Sequence, residues 1–140
     1  MSTSNTITSD REKRVRLQDA IPLKMPLAVY IEVTSKCNFT CSFCPTGQDL
    51  GPGVGRDNMS FELFEKVVSD FKDFTKAAGK KIKKVNLFWM GEPLINKKVY
   101  DMARLLKDAD IADTISMTTN GSLITPENAR RLVKSGIDQI

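Results

Sequence analysis

Leu27-Ala28-Val29-Tyr30-Ile31-Glu32-Val33-Thr34-Ser35-Lys36-Cys37-Asn38-Phe39-Thr40-Cys41-Ser42-Phe43-Cys44-Pro45 is the stretch on which the reading of this chain turns. Its first seven residues are rich in β-branched and aromatic types, the composition of a strand. The polar Thr34-Ser35-Lys36 ends that strand, and all three cysteines of the chain follow in the spacing C-x3-C-x2-C. A loop just past the C-terminal end of a strand is where α/β folds bind ligands. The chain has no histidine, so no other stretch competes for a soft metal. Three thiolates form an incomplete shell. A structural zinc site closes with four ligands, whereas a cluster held by three thiolates keeps one iron open to an exogenous group.

The length of 140 residues suggests one domain with room for a core. The content of 41% hydrophobic and 27% charged residues fits a soluble globular chain. No run of about 18 apolar residues is present, so no membrane-spanning helix and no membrane partner are expected. Met1 to Asp10 is rich in Ser and Thr and lacks an apolar run, which argues against a secretory signal. An odd number of cysteines packed into one short stretch does not resemble a disulfide framework and points to a reducing, cytoplasmic compartment. The net charge of +4 is modest. Lys76, Lys80, Lys81, Lys83 and Lys84 read as cations flanking a helix end, which suits the dipole and solubility. Aromatics do not alternate with them, as a nucleic-acid surface would require.

Residues 1–25 read as a polar leader, partly disordered or draped over the domain, with weak helical content over Arg11–Ala20 broken by Pro22 and Pro26. Residues 26–140 read as the domain proper. Gly51-Pro52-Gly53-Val54-Gly55 fits neither phosphate-binding spacing and is expected to be a connector. Asp49 lies beside it. Ser60 is an N-cap, and Phe64, Val67, Val68, Phe71, Phe74 and Ala78 recur at helical spacing up to a C-cap at Gly79. Val85–Met90 is expected to be strand two, running into Gly91-Glu92-Pro93. A helix over Lys97–Ala109 follows, with Val99, Met102, Ala103, Leu106 and Ala109 inward. Thr114–Thr119 is strand three, ending in Asn120-Gly121. Thr125-Pro126-Glu127 starts another helix, which Gly136 closes. Ile137–Ile140 approaches a fourth strand. The βαβαβα order predicts a parallel sheet with right-handed crossovers, curled or open. A chain stopping as a strand enters its sheet is expected to be the N-terminal part of a longer protein.

At the cysteines the sequence resembles the radical S-adenosylmethionine (radical SAM) superfamily, whose motif is C-x3-C-x-Φ-C with an aromatic at Φ. Here it reads Cys37-Asn38-Phe39-Thr40-Cys41-Ser42-Phe43-Cys44, and Phe43 takes the aromatic place. After strand two the family often has Gly-Gly-Glu-Pro; this chain has Met90-Gly91-Glu92-Pro93, departing at the first position. Thr118-Thr119-Asn120-Gly121 and Cys44-Pro45 are similar to sequences common in the SPASM and twitch subgroup. The resemblance covers roughly residues 27–140.

That resemblance implies an α/β fold: a partial (β/α)6 barrel of which the first three β/α units and the start of strand four are present. It implies that Cys37, Cys41 and Cys44 hold three irons of a [4Fe–4S] cluster, with S-adenosylmethionine (SAM) on the fourth. It implies that backbone around Gly91, Glu92 and Pro93 receives the SAM amino group, and that Thr119 and Asn120 face SAM and substrate; their alternative role is turn chemistry. Phe43 would lie near the adenine or pack within its own loop. The implied activity is oxidoreductase-type: an electron from a flavodoxin or ferredoxin cleaves SAM, and the resulting 5′-deoxyadenosyl radical takes hydrogen from a substrate. A peptide, sugar or small metabolite fits that substrate better than RNA. Neither Glu32, Glu92 nor Asn120 is assigned as a general acid or base, and a piece without the later strands is expected to be inactive alone.

A competing class is a non-catalytic zinc or iron–sulfur module with a basic RNA-binding face. It needs a fourth ligand, for which Asp49 or a residue of a partner is the candidate, although a structural site would more naturally use Cys or His. An electron-transfer protein would need a fourth cysteine, which the chain lacks.

Overall fold

The structure is a computed structural model that describes residues 15–47 and 55–140. Ser60 accepts the Leu63 N–H and opens helix α2 over Phe61–Ala78, following the single turn α1 over Leu17–Ala20. Gly79, at φ 63°, closes α2 in the left-handed conformation that glycine adopts without strain. Thr125 caps α4 (Pro126–Ser135) in the same way, accepting from the Asn128 N–H, and Gly136 ends it. Between them lie α3 (Val99–Ala109) and the strands β1 (Ala28–Tyr30), β2 (Ile82–Asn86) and β3 (Ala112–Ser116).

The strands form one parallel sheet in the order β1-β2-β3. Its register sets two faces, because side chains alternate along a strand. The row Val29, Val85 and Ile115 enters the core with Ile31, Val33, Phe64, Val68, Met102 and Leu106. Tyr30, Asn86 and Ser116 share the opposite face. There Ser116 donates to Asn86 Oδ1 at 2.5 Å, and Asn86 Nδ2 donates to the Val29 carbonyl at 3.3 Å. That polar face satisfies its own groups without help from the helices.

Several expected boundaries shift. Strand two begins at Ile82, not Val85, so Lys83 and Lys84 are strand residues rather than a helix-flanking run; Lys84 Nζ donates to Gln139 Oε1 at 2.9 Å. At their far ends all three strands leave regular pairing early. Leu87 N–H still reaches the Ser116 carbonyl, but Phe88 and Trp89 turn away and pack edge-on against Tyr30. Beyond β1, Val33 accepts from the Met59 N–H, a partner outside the parallel sheet. Helix α3 starts at Val99, two residues late, because Asn96 organises the turn before it. Phe74 is 42% exposed, against the inward expectation. At about 100° per residue it falls about 80° from Phe64 around the helix, at the rim of the buried stripe. Ile137–Ile140 does approach the sheet: the Met117 N–H donates to the Gln139 carbonyl and Ser116 bridges Gln139 in parallel. Within the leader, Leu17–Ala20 is helical and Met25 packs on the core; residues 1–14, Gly51–Val54 and Asp49 lie outside the described residues.

Asp138 holds that last approach in place. One carboxylate oxygen accepts from Lys107 Nζ at 2.6 Å and the other from the Ile115 N–H at 2.9 Å. The Lys107 hydrogen bond, then the Ile115 N–H, hold its carboxyl below the ordinary carboxylate range. With the folded pKa below the unfolded one, this stability is present above the usual carboxylate value of about 4 and is lost as pH falls through the folded value. Asp138→Asn is expected to cost no more than about 1 kcal/mol near neutrality, since the pair is partly exposed and screened. Urea midpoints should show the gap between wild type and variant closing in acid; a gap constant with pH contradicts this account.

Candidate functional site at the strand ends

The C-terminal ends of β1, β2 and β3 converge on the cysteine loop. Gly91 makes that convergence possible. A Cβ built on Gly91 would stand 2.0 Å from the Thr34 carbonyl oxygen and 2.9 Å from that of Lys36. The Glu92 N–H donates to the Lys36 carbonyl at 2.8 Å. The residue directly before Cys37 is therefore seated on the turn after β2, with backbone touching backbone. On the other side, the Ser35 N–H donates to the Asp57 carbonyl, Thr34 Oγ1 donates to Asn58 Oδ1 at 2.7 Å, and Lys36 pairs with Asp57 at 3.1 Å.

Glu92 is 2% exposed, and its carboxylate is spent inside the protein. Oε1 accepts from the Leu94 N–H at 3.0 Å and from Thr119 Oγ1 at 2.7 Å; Oε2 accepts from the Asn120 N–H at 2.7 Å. It thus ties the turn after β2 to the end of β3. Pro93 opens a buried 3-10 turn over Pro93–Ile95. Asn120 continues the chain of contacts by donating from Nδ2 to Asn38 Oδ1 at 3.0 Å. Asn38 Nδ2 donates to Ser122 Oγ at 2.8 Å, and Ser122 Oγ donates back to Asn120 Oδ1 at 2.7 Å. The loop between the first two cysteines is latched to β3 by this ring.

Cys37, Cys41 and Cys44 are half-buried and are not joined in disulfides. The Cys44 N–H donates to the Cys41 carbonyl at 3.0 Å, which closes a turn. The sulfur of Cys44 lies 2.8 Å from Thr46 Oγ1. Phe43 is 89% exposed, so its packing within the loop is overturned. Glu32 Oε1 accepts the Met90 N–H at 3.0 Å, a support for the turn.

The structure therefore brings Gly91, Glu92, Pro93, Thr119 and Asn120 together with the cysteine loop. Sequence reasoning missed Asn38, Thr46, Asn96 and Ser122. Asn96 is 3% exposed and donates to the carbonyls of Val33 and Met59, pinning the end of β1. Single polar residues, buried as Thr46 and Asn96 are or exposed as Asn38 and Ser122 are, leave no periodic trace. The one available hint was position, since Asn38 follows Cys37 directly and Thr46 lies two residues after Cys44.

Among the described residues, no three of His, Cys, Asp and Glu converge as ligands of one metal ion. A structural zinc ion needs such convergence. A [4Fe–4S] cluster does not, because each thiolate meets its own iron. Three thiolates with no histidine are a soft donor set that fits iron and sulfide; Asp49, the candidate fourth ligand of the zinc reading, lies outside the described residues.

A family model described as the radical SAM superfamily matches residues 31–140. The chain belongs to the radical SAM superfamily. Membership carries with it the group's general dependence on a [4Fe–4S] cluster and SAM. Among curated relatives of this radical SAM chain, a tungsten-containing aldehyde ferredoxin oxidoreductase cofactor-modifying protein of Pyrococcus furiosus is 30% identical over 112 residues, covering 80% of this chain and 29% of the relative. A probable GTP 3′,8-cyclase of Methanocaldococcus jannaschii is 35% identical over 111 residues, covering 79% and 33%. The chain thus spans at most 33% of the length of these two relatives. The crystal structure of BtrN in complex with AdoMet and 2-DOIA shares the fold, with a TM-score of 0.67 at 21% identity over 81% of this chain and 43% of that one. The parallel sheet with its helices is accordingly part of a radical SAM α/β fold.

Gly91→Ala is expected to destabilise the chain by about 3 kcal/mol, because backbone on both sides of the contact must move apart. Gly55→Ala, whose Cβ would meet nothing within 4 Å, serves as the control. Denaturant midpoints of the two variants check this, and equal midpoints contradict it.

Proposed function

We propose that this chain carries the cluster-binding part of a radical SAM enzyme. The observation that supports it most is the joining of three strand ends around the cysteine loop, through Gly91, Glu92 and the Asn38–Asn120–Ser122 ring. In this reading Cys37, Cys41 and Cys44 would hold a [4Fe–4S] cluster, leaving one iron without a protein ligand and open to SAM. When bound, the cluster and SAM supply reductive cleavage and a 5′-deoxyadenosyl radical, chemistry that belongs to the cofactors.

The chain's own residues orient and shield. Glu92 and Thr119 act through the backbone: they fix the Met90–Pro93 turn and the Asn120 main chain rather than offering side chains to a ligand. This differs from a direct cofactor contact and is the role their hydrogen bonds support. Backbone of the Met90–Glu92 turn is the candidate partner for the SAM amino group. Phe43, standing out from the loop, remains the candidate for the adenine face.

An electron donor of the flavodoxin or ferredoxin type and a peptide, sugar or small-metabolite substrate complete the reading. Thr119-Asn120-Gly121 and Cys44-Pro45 support placing the protein near the SPASM-type subgroup. The three thiols, without disulfides, support a reducing cytoplasmic setting. Among the described residues no helix is long and apolar enough to cross a membrane.

Anaerobic reconstitution of the chain with iron and sulfide tests the proposal. About four irons and four sulfides per chain are expected, with loading lost in Cys37→Ala, Cys41→Ala and Cys44→Ala. Stoichiometric zinc with no cluster would overturn the reading.

A further inference from the structure

We propose that Thr46 donates the hydrogen bond that raises the reduction potential of a cluster ligated by Cys44. The assignment rests on the cluster reading above and adds a residue outside the motif.

Thr46 is 4% exposed and sits at the centre of the 3-10 turn Pro45–Gly47, directly after the third cysteine. Among the described residues its hydroxyl has two neighbours: the Cys44 sulfur at 2.8 Å and the Met90 carbonyl oxygen at 3.3 Å. A threonine hydroxyl has one proton to give. While Cys44 is a thiol, that thiol can itself donate to Oγ1, and the Thr46 proton can satisfy Met90. A cysteine bound to iron is a thiolate, so it has no proton and can only accept. The Thr46 proton then has a charged acceptor at the shorter distance and a neutral one at the longer. Charge-assisted hydrogen bonds are the stronger, and the proton goes to sulfur.

The effect on the cluster has a definite sign. Reduction adds one electron to the cluster, and part of its charge falls on the ligand sulfurs. A donor aimed at a ligand sulfur stabilises the reduced state more than the oxidised one, so it raises the potential. Hydrogen bonds to the sulfurs are among the terms that set iron–sulfur potentials, and burial strengthens them. The same hydroxyl lies against the backbone of the turn after β2. Once sulfur takes the proton, the Met90 carbonyl is a neighbour of that hydroxyl and no longer its acceptor.

The test is dithionite titration of the reconstituted chain, followed by the visible absorbance and EPR signal of the cluster. Thr46→Val keeps the shape and removes the donor; Thr46→Ala is the second donor-free variant; Thr46→Ser keeps the hydroxyl. At a fixed potential, the ratio of reduced to oxidised cluster is expected to fall about tenfold in the Val and Ala variants, equivalent to about 59 mV for one electron. It should stay near wild type in the Ser variant. Thermal melts of the cluster-free proteins separate folding from tuning, since a packing role would move the melts and leave the potential alone. Val and Ala clusters titrating with wild type would overturn the assignment. So would a Ser variant that falls with Val, or donor-free variants that fold but take up no cluster while Ser does. A wild-type chain that forms no cluster at all overturns the functional reading itself, and Thr46 falls with it.

Discussion

The contact between Gly91 and the Thr34–Lys36 backbone is the constraint on which the site depends. A carbonyl oxygen 2.0 Å from where a Cβ would stand leaves room for a hydrogen and nothing more. Because of it, the loop after β1 and the turn after β2 meet main chain to main chain, and the Glu92 N–H reaches the Lys36 carbonyl. The first cysteine is thereby fixed by the strand next door rather than by its own flexible loop. Glycine here answers to close approach. The positive φ that explains Gly79 is not what Gly91 supplies.

Buried polar side chains carry that arrangement outward. Glu92 spans β2 and β3, Asn96 holds Val33 and Met59, and Asn86 joins Ser116 to the Val29 carbonyl. Among the described residues, none of the buried side-chain nitrogens and oxygens lacks a partner. Such networks specify one arrangement when complete and penalise any other, since an unpaired buried group is costly. The sheet supplies rigidity through its helix-covered face and chemistry at its strand ends.

Much of the fold was legible because it rests on local rules. Ser60, Gly79, Thr125 and Gly136 mark helix ends through capping chemistry, and all four act as read. Strand limits were less legible. Phe88, Trp89 and Met90 are as apolar as a strand, yet they leave the ladder to meet Tyr30 and the cysteine loop; composition cannot separate a buried strand from a packed turn. Lys83 and Lys84 show the converse, charged residues inside a strand: Lys84 shares the face of Asn86 and reaches Gln139, while Lys83, on the opposite face, is exposed. At the site, the cysteine spacing and the Gly-Glu-Pro turn were visible in sequence. What Glu92 does with its carboxylate was not, because two of its partners, Thr119 and Asn120, are defined only once β3 lies beside β2. Asn38, Thr46 and Ser122 were missed for the same reason.

The central claim is that three cysteines hold a cluster with one iron left open. EPR of the reduced, reconstituted chain with and without SAM addresses it most directly. A cluster with an open iron should change its signal when SAM is added. An identical signal at saturating SAM would contradict the account, because it would mean that no iron is available to the ligand.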